Sequence, residues 1–502
     1  MLAAAAAAIT LLGAAQNAPI SPSTGGHWDP VLPLNGSGLC LETTKAWLEA
    51  RGAGACDAAC WGCRTTVVVR SLMARRQDPS TGLFGSGAVP WVDANAIETI
   101  ADFAARMGGL QAPELAEVRD DITLMLEKGF NSSDGGECHT PACGSYDDQG
   151  WWGLAWAKAY ELTGDPRFLL RSAAIFDYLV QHSWDEKVCG GGCWWSSAAV
   201  YKNSVTNQLF FTLSARLQIH AAVLVRLGAV PTNTYLLGWA RKAWAWLSTG
   251  GGAPLLNKAV GLYSDGLTKD GRCRSNGDPA DPFDGDVGAI WSYNQGVVMS
   301  GLAALGALTN DSALLTNADN LFVSVVAHMT SPELEHGGGG GGGGGVNSSS
   351  SSGAAHVLVE RSCNGSKVEH RGTGCDENQV MFKGAFMRHL GYLHRAPFGL
   401  NVAQKQQYIR FADENADWVW WHARLETTTF GRGGGTNAAA AEAMAARDEW
   451  IGGEWRGPFV SGGQHWFNEH KTMLQAQVSA LGLFASLAGK AAPGDGGSRH
   501  IE

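Results

Sequence analysis

The residues best equipped for chemistry in this 502-residue chain are two neighbouring acids in Tyr146-Asp147-Asp148-Gln149-Gly150, directly before the aromatic run Trp151-Trp152-Gly153-Leu154-Ala155-Trp156. Breaking a glycosidic bond needs one carboxylate that stays ionised as nucleophile or base. It needs a second that keeps a proton for the leaving oxygen, beside apolar faces on which a sugar ring can lie. Adjacent side chains on a regular helix diverge. At a loop-to-helix junction both can turn into one cleft, near the separation of about 5 to 5.5 Å used by retaining enzymes. Mutual repulsion, and N–H groups at the helix start that favour an anion, would then drive the two pKa values apart. The pair itself does not say which acid keeps the proton. The competing reading is structural, because acids at a helix N-terminus also accept backbone N–H bonds and suit the helix dipole.

Further candidates surround the pair. Cys189-Gly190-Gly191-Gly192-Cys193-Trp194-Trp195 combines glycines, which let backbone approach a ligand, with Trp194 and Trp195 as stacking faces. Tyr201-Lys202-Asn203 leads on to Asn207 at the next helix, where Lys202, Asn203 and Asn207 could bind hydroxyls or simply cap and brace. Asp265-Gly266 reads first as a turn and second as a hydroxyl binder. Tyr293, Asn294 and Gln295 form a stronger candidate group, for the repeat described below. Lys383, in Phe382-Lys383-Gly384, is a charge among bulky apolar groups that could face the same cleft. The bland alternative for every tryptophan here, Trp151 included, is core packing.

Composition narrows the classes. A net charge of -10 and no Lys/Arg cluster longer than a pair leave out a nucleic-acid partner. Tryptophan is over-represented, 20 against 9 Tyr and 17 Phe, which suits sugar platforms and helical cores alike. The close pairs Cys138/Cys143, Cys189/Cys193 and Cys363/Cys375 read as local disulfides of an oxidising compartment. Cys56, Cys60 and Cys63 could hold zinc, but no matching CxxC or His pair completes a tetrahedral set, so no metal site is expected. Residues 1–20, six alanines and an apolar stretch ending in small residues but lacking a basic start, read as a secretory signal. Asn35, Asn131, Asn310, Asn347 and Asn364 are then glycan acceptors. No later run of about 18 apolar residues suggests a membrane span.

The elements that must position the acids are helices. From about Thr65, apolar residues recur at three- and four-residue spacing between Gly-, Pro-, Asn- and Asp-rich loops, and period-2 strands are hard to find. Trp152, Ala155, Trp156, Ala159 and Tyr160 make one stripe; Val205, Leu209, Thr212, Leu213 and Ile219 make another. Gln149 to His182 aligns without a gap on Gln295 to His328, matching Leu162-Thr163-Gly164-Asp165 to Leu308-Thr309-Asn310-Asp311. Each copy is a helix, a tight turn and a helix, and such hairpins must stack to bury their apolar faces. About twelve candidate helices fit a ring of six hairpins. The expected fold is all-α, an (α/α)6 barrel forming a single domain over 38–490 and acting as a monomer. Flexible insertions fall near 337–353 and 431–446. In the repeat register Tyr146-Asp147-Asp148-Gln149-Gly150 overlies Ser292-Tyr293-Asn294-Gln295-Gly296, so both helix starts should face one opening, with acids in the first copy alone.

These motifs, together with Asn207-Gln208-Leu209-Phe210 and Trp291-Ser292-Tyr293-Asn294-Gln295-Gly296, resemble glycoside hydrolase family 76, the α-1,6-mannanases, from about residue 91 to 425. The resemblance implies an (α/α)6 barrel and cleavage of α-1,6-mannan with retention through a covalent mannosyl-enzyme. It implies Asp147 as nucleophile, Asp148 as general acid/base, and neither metal nor organic cofactor. Fungal members of that family are cell-wall proteins associated with transglycosylation onto mannose-containing glycans of lipid-anchored glycoproteins, so transfer is the nearest variant. The chain departs from the pattern in Gln149 after the pair, in its insertions, and in lacking a hydrophobic anchor tail. From other classes, a silent glycan-binding protein would keep the tryptophans without needing two acids. A lyase or epimerase on the same toroid would want a His, Arg or metal cluster that the motifs do not supply.

Overall fold

The computed structural model describes residues 56–84, 90–132, 145–267, 273–274, 289–333, 355–364, 375, 378–397, 399–422, 424–426, 449–451 and 470–488. Among the described residues, twelve long helices carry the fold. They are α1 (Ala58–Arg76), α2 (Pro90–Arg106), α3 (Arg119–Ser132), α4 (Tyr146–Thr163), α5 (Pro166–His182), α6 (Ser204–Gln218), α7 (Tyr235–Ser248), α8 (Ser292–Thr309), α9 (Ser312–His328), α10 (Phe382–His394), α11 (Val402–His422) and α12 (His470–Leu487). The even-numbered helices pack in a closed cycle, α2 on α4, α4 on α6, α6 on α8, α8 on α10, α10 on α12, and α12 back on α2. The odd-numbered helices lie outside, α5 against α4, α7 against α6, α9 against α8, and α1 and α11 against α12. This is the (α/α)6 barrel expected from the helical repeat. Among the described residues, strands are limited to three two-stranded antiparallel ribbons, including β3 (Thr330–Glu333) with β4 (Ala355–Leu358) after β1 (Leu256–Asn257) with β2 (Leu262–Tyr263).

The two rings differ in sequence as they differ in surroundings. Every residue of α6 from Ser204 to Leu217 is buried, and so is α2 from Trp91 to Ala104, because an inner helix meets neighbours on all sides. Outer helices bury one stripe, as Leu236, Ala240, Ala243, Trp246 and Leu247 do in α7. Small residues let the inner helices approach: a Cβ on Gly150 would stand 2.7 Å from Leu209 Cβ, and one on Gly153 would stand 2.5 Å from Leu213 Cδ2. The repeat is carried into the helix boundaries. α4 and α8 are both 18 residues long, α5 and α9 both 17, and the turns between them end the first helix on a left-handed residue, Gly164 or Asn310. Asp165 and Asp311 then cap the second helices through Arg167 N–H and Ala313 N–H.

Two expectations change. Ile219 does not belong to the apolar stripe of its helix; α6 stops at Gln218 and Ile219 is exposed. Cys189 pairs with Cys273, not with Cys193, which is a buried free thiol. The reason is local: Gly190, Gly191 and Gly192 all take positive φ, and the last two lie against Trp246, so the chain reverses and turns Cys193 inward while Cys189 faces the 273 segment. Cys56 and Cys60 are joined to each other and Cys63 is also disulfide-bonded, which removes the zinc alternative. Cys375 is disulfide-bonded as well. Cys138, Cys143, the side chain of Cys363, residues 1–20 and both insertions lie outside the described residues, as do Asn35, Asn347 and the side chain of Asn364. Asn131 and Asn310 are exposed.

Candidate active site

The inner helices run with their N-termini toward one end of the barrel, and a cleft of about 550 Å³ opens there. Five of the six contribute from a start or cap: Pro90 and Trp91 from α2, Asp147, Asp148 and Trp151 from α4, Asn203 before α6, Trp291 and Tyr293 at α8, and Phe382 at α10. Convergent helix N-termini bring partial positive charge and unpaired N–H groups to this end, which favours an anion held there. Ser145, Trp195, Val200, Tyr201, Asp265, Asn378 and Gln379 complete the lining.

Both acids of the pair enter the cleft. Ser145 occupies the N-cap position of α4 but makes no capping bond; its hydroxyl interacts with Asp147 and Asp148 instead. The backbone around them is braced, with Tyr146 N–H donating to the Trp195 carbonyl at 2.6 Å and Trp195 N–H donating to the Tyr201 carbonyl at 2.7 Å. Burial raises the Asp147 carboxyl, opposed by Ser145, by the N–H groups of Asp147 and Asp148, and by the Trp195 side chain. Asp148 is pushed up to about 8 by burial and then by the charge of Asp147, with Ser145 as its one opposing contact. More polar groups favour the anion on Asp147 than on Asp148. These contacts favour the anion on Asp147, and the charge of Asp147 disfavours a second anion on Asp148. One oxygen of Asp147, Oδ1, has no hydrogen-bond partner among the described residues.

Aromatic rings wall the cleft. Tyr293 stacks on Phe382 with centroids 3.8 Å apart and planes 5° apart; Trp151 lies 6.5 Å from Tyr293 and 6.0 Å from Trp91. Trp195 stands at the rim, 41 % exposed, with Tyr201 beneath it. Asp265 accepts a hydrogen bond from the Tyr201 hydroxyl at 2.5 Å. Asn203 does both things foreseen for it, lining the cleft and capping α6 through Thr206 N–H.

Of the residues singled out in the sequence, Asp147, Asp148, Trp151, Trp195, Asn203, Asp265 and Tyr293 share this cleft. Six others lie behind it. Lys202 is buried and donates to the carbonyls of Asp185, Val188 and Gly191, closing the Gly-rich loop from within, with Trp194 under its ammonium at 4.6 Å. Asn207 holds the next residue of that loop, accepting from Cys193 N–H and donating to its carbonyl. Gln295 pairs with both backbone groups of Tyr263. Asn294 is fully buried, and Lys383 is turned inward where its charge acts on Glu360. A polar residue one position from a cleft residue on a helix points elsewhere, and sequence proximity cannot distinguish the two. Ser145, Trp91, Tyr201, Trp291, Asn378, Gln379 and Phe382 were not singled out as site residues. The ring reading held a usable signal for several, since residues at the starts of inner helices must meet at one end. Asn378 and Gln379 carry no such mark.

Two buried carboxylates, both raised by burial but in different polar settings, at the open N-terminal end of an aromatic-walled helical toroid fit a carbohydrate-active class of protein. The chain belongs to glycosyl hydrolase family 76, whose sequence model matches residues 76–399. It is similar to mannan endo-1,6-alpha-mannosidase DFG5 of Saccharomyces cerevisiae, 32% identical over 176 residues, 33% of each chain. It is similar also to mannan endo-1,6-alpha-mannosidase DCW1 of the same yeast, 25% identical over 282 residues, 54% of this chain and 51% of that one. The chain spans about half the length, or less, of these relatives. Among solved structures, an inactive double-aspartate variant of the α-1,6-mannanase of Salegentibacter sp. HEL1_6 in complex with α-1,6-mannotetrose matches with a TM-score of 0.57 at 18% identity, covering 85% of this chain and 98% of that one. Dfg5 from Chaetomium thermophilum in complex with glucosamine matches with a TM-score of 0.54 at 19% identity, over 79% and 80%. At such identities the structural likeness speaks for the fold. No helix among the described residues is long and apolar enough to cross a membrane.

Proposed function

We propose that the chain is a secreted retaining glycosidase that cuts α-1,6-mannosidic linkages, with Asp147 as nucleophile and Asp148 as general acid/base. The observation that carries the reading is the entry of both carboxylates into one aromatic-walled cleft in electrostatically different settings. Asp147 attacks the anomeric carbon while Asp148 gives its proton to the glycosidic oxygen. The C–O bond breaks, the aglycone leaves as an alcohol, and a mannosyl ester forms on Asp147. Asp148, now a carboxylate, takes a proton from water; the water oxygen bonds to the anomeric carbon and the ester oxygen leaves as the Asp147 carboxylate. Trp91, Trp195 and Tyr293 offer apolar faces to the sugar rings, and Asp265 and Asn203 offer acceptors for hydroxyls.

Transfer to a second sugar is favoured as a variant by the rim. Trp195 is 41% exposed and Val200 56% exposed beside the acids, an apolar ledge on which an acceptor could exclude water. The experiment is to incubate the purified protein with linear α-1,6-mannan and follow reducing ends, with product masses recorded in the presence and absence of an amino-sugar acceptor. Cleavage with an α-configured first product is expected. Absence of both cleavage and transfer would overturn the reading, and a β-configured product would overturn the retaining assignment.

A further inference from the structure

The two repeat copies solve the same problem at their helix starts in different ways. α4 begins with its own acids, whereas α8 has no acid in its first turn, and its N-cap residue Trp291 makes no capping bond. A buried helix start with unmet N–H groups is costly. The missing acceptor comes from far along the chain. Glu360, fully buried in the segment after β4, accepts from Ser292 N–H at 3.1 Å and also from the Ser292 hydroxyl. Two residues on, the Ser362 hydroxyl contacts both N–H and carbonyl of Ile290, each at 3.1 Å. The segment thus runs antiparallel to the lead-in of α8, fastened by side chains in place of a backbone ladder. Its other side is fastened to α11, where Asn415 accepts from Leu358 N–H and donates to the His356 carbonyl.

What this strap holds still is a wall of the cleft. Ser292 is followed by Tyr293, whose ring is sandwiched toward Phe382 and Trp151. Phe382 opens α10 and lies face to face with the Tyr293 ring. Glu360 therefore fastens the start of α8, and the Tyr293 ring stacked on Phe382 carries that constraint across to the start of α10. We propose that Glu360 is a positioning residue for sugar binding: by capping α8 from a distant segment it sets the Tyr293 and Phe382 faces against which a mannosyl unit rests.

This rests on the carbohydrate reading above for its ligand but not for its geometry, and the test separates the two. α-1,6-Mannotetraose binding is measured by calorimetry on the inactive Asp147→Asn/Asp148→Asn protein, alone and combined with Glu360→Ala or Glu360→Gln, and amide exchange is read at the first turn of α8 in each. Glu360→Ala should weaken binding about ten-fold and expose the Ser292 amide; Glu360→Gln, which keeps an acceptor and a donor of the same shape, should restore both to within about two-fold. In the active protein the same loss should fall on KM, with kcat changed by less than about three-fold. Unchanged binding and exchange in Glu360→Ala, or a Glu360→Gln protein as impaired as Glu360→Ala, overturns the proposal. If the parent protein binds no mannotetraose, the carbohydrate reading fails and the exchange measurement still decides the role of Glu360. Should Glu360→Ala not fold, Ser292→Ala removes the hydroxyl half of the clamp, and binding within experimental error of the parent counts against it.

Discussion

At the scale of single residues, the acid pair makes its own predictions. Asp147→Asn and Asp148→Asn should each lower kcat on mannan by at least about 100- to 1000-fold while circular dichroism and melting temperature stay near those of the parent, since asparagine keeps the shape and an acceptor oxygen of each side chain. Azide should partly restore turnover of an activated aryl substrate to the Asp148 variant and yield a retained glycosyl azide; rescue at Asp147 instead would exchange the two roles. The pH profile follows from the raised pKa of Asp148. In the proposed mechanism its protonated form is the working acid, so kcat/KM should fall as pH rises through about 8, and that limb should vanish in the little activity left to Asp148→Asn. A kcat/KM profile flat to pH 10 would show that another group supplies the proton.

At the scale of elements, the barrel depends on how closely neighbouring inner helices approach. Gly153 sits where α4 meets α6, and a methyl group there would meet Leu213 at 2.5 Å. Gly153→Ala should cost about 1 to 3 kcal/mol, in spite of the better helix propensity of alanine, and lower the urea midpoint without changing the slope. A stabilised variant would mean that the leucine relaxes freely. How far the elements were legible in advance depended on their periodicity. The hairpins at Gln149 to His182 and Gln295 to His328 were plain because their apolar spacing and turn residues agree at one offset, and the helix ends of both copies match residue for residue. The apolar stripe of α6 was drawn too narrowly, since a helix buried on every side has no polar face to mark it. Lys202 and Lys383 looked like ligand binders for a related reason: a charge among apolar residues signals a buried partner, and whether that partner is a sugar or a carbonyl depends on segments remote in sequence.

At the scale of the whole molecule, the two ends of the barrel are electrically distinct. Opposite the cleft, in the C-terminal halves of α2, α4, α6 and α10, lies a buried ion network. Glu98 contacts Arg216 at 2.7 Å and Arg388 at 3.2 Å and accepts from the Tyr392 hydroxyl; Asp102 contacts Lys158 at 3.2 Å and Arg395 at 3.0 Å. Together with Glu161 and Arg106, which donates to the Ala485 carbonyl in the last turn of α12, cations outnumber carboxylates in this cluster. The C-terminal ends of the helices, with unpaired carbonyls and partial negative charge, account for the imbalance, as the N-terminal ends account for the acids at the cleft. Burial alone would raise Glu98, but Arg388 and Arg216 hold it at about 2, and Arg395 and Lys158 hold Asp102 at about 2 in the same way. Carboxylates depressed in the folded state contribute stability that is present above their unfolded pKa of about 4 and lost as pH falls toward 2. Unfolding free energy should therefore drop steeply across that window. Glu98→Gln should remove about 3 to 5 kcal/mol at pH 7, because Arg216 and Arg388 would be left buried around a neutral group, and should flatten the acid dependence. Acid curves that superimpose for the two proteins would place the pH-sensitive element elsewhere.

The order of residues along the chain determined the helical repeat, the closed count of twelve and the two acids, because periodicity, turn chemistry and adjacency are local properties that a sequence carries on its face. Only the tertiary structure decided that both acids turn into one cleft, that Cys189 reaches Cys273, that Trp91 and Phe382 join Tyr293 around the cleft, and that a carboxylate from residue 360 caps a helix at 292. Those outcomes depend on distances between segments far apart in the chain, and burial and charge take their effect from such neighbours.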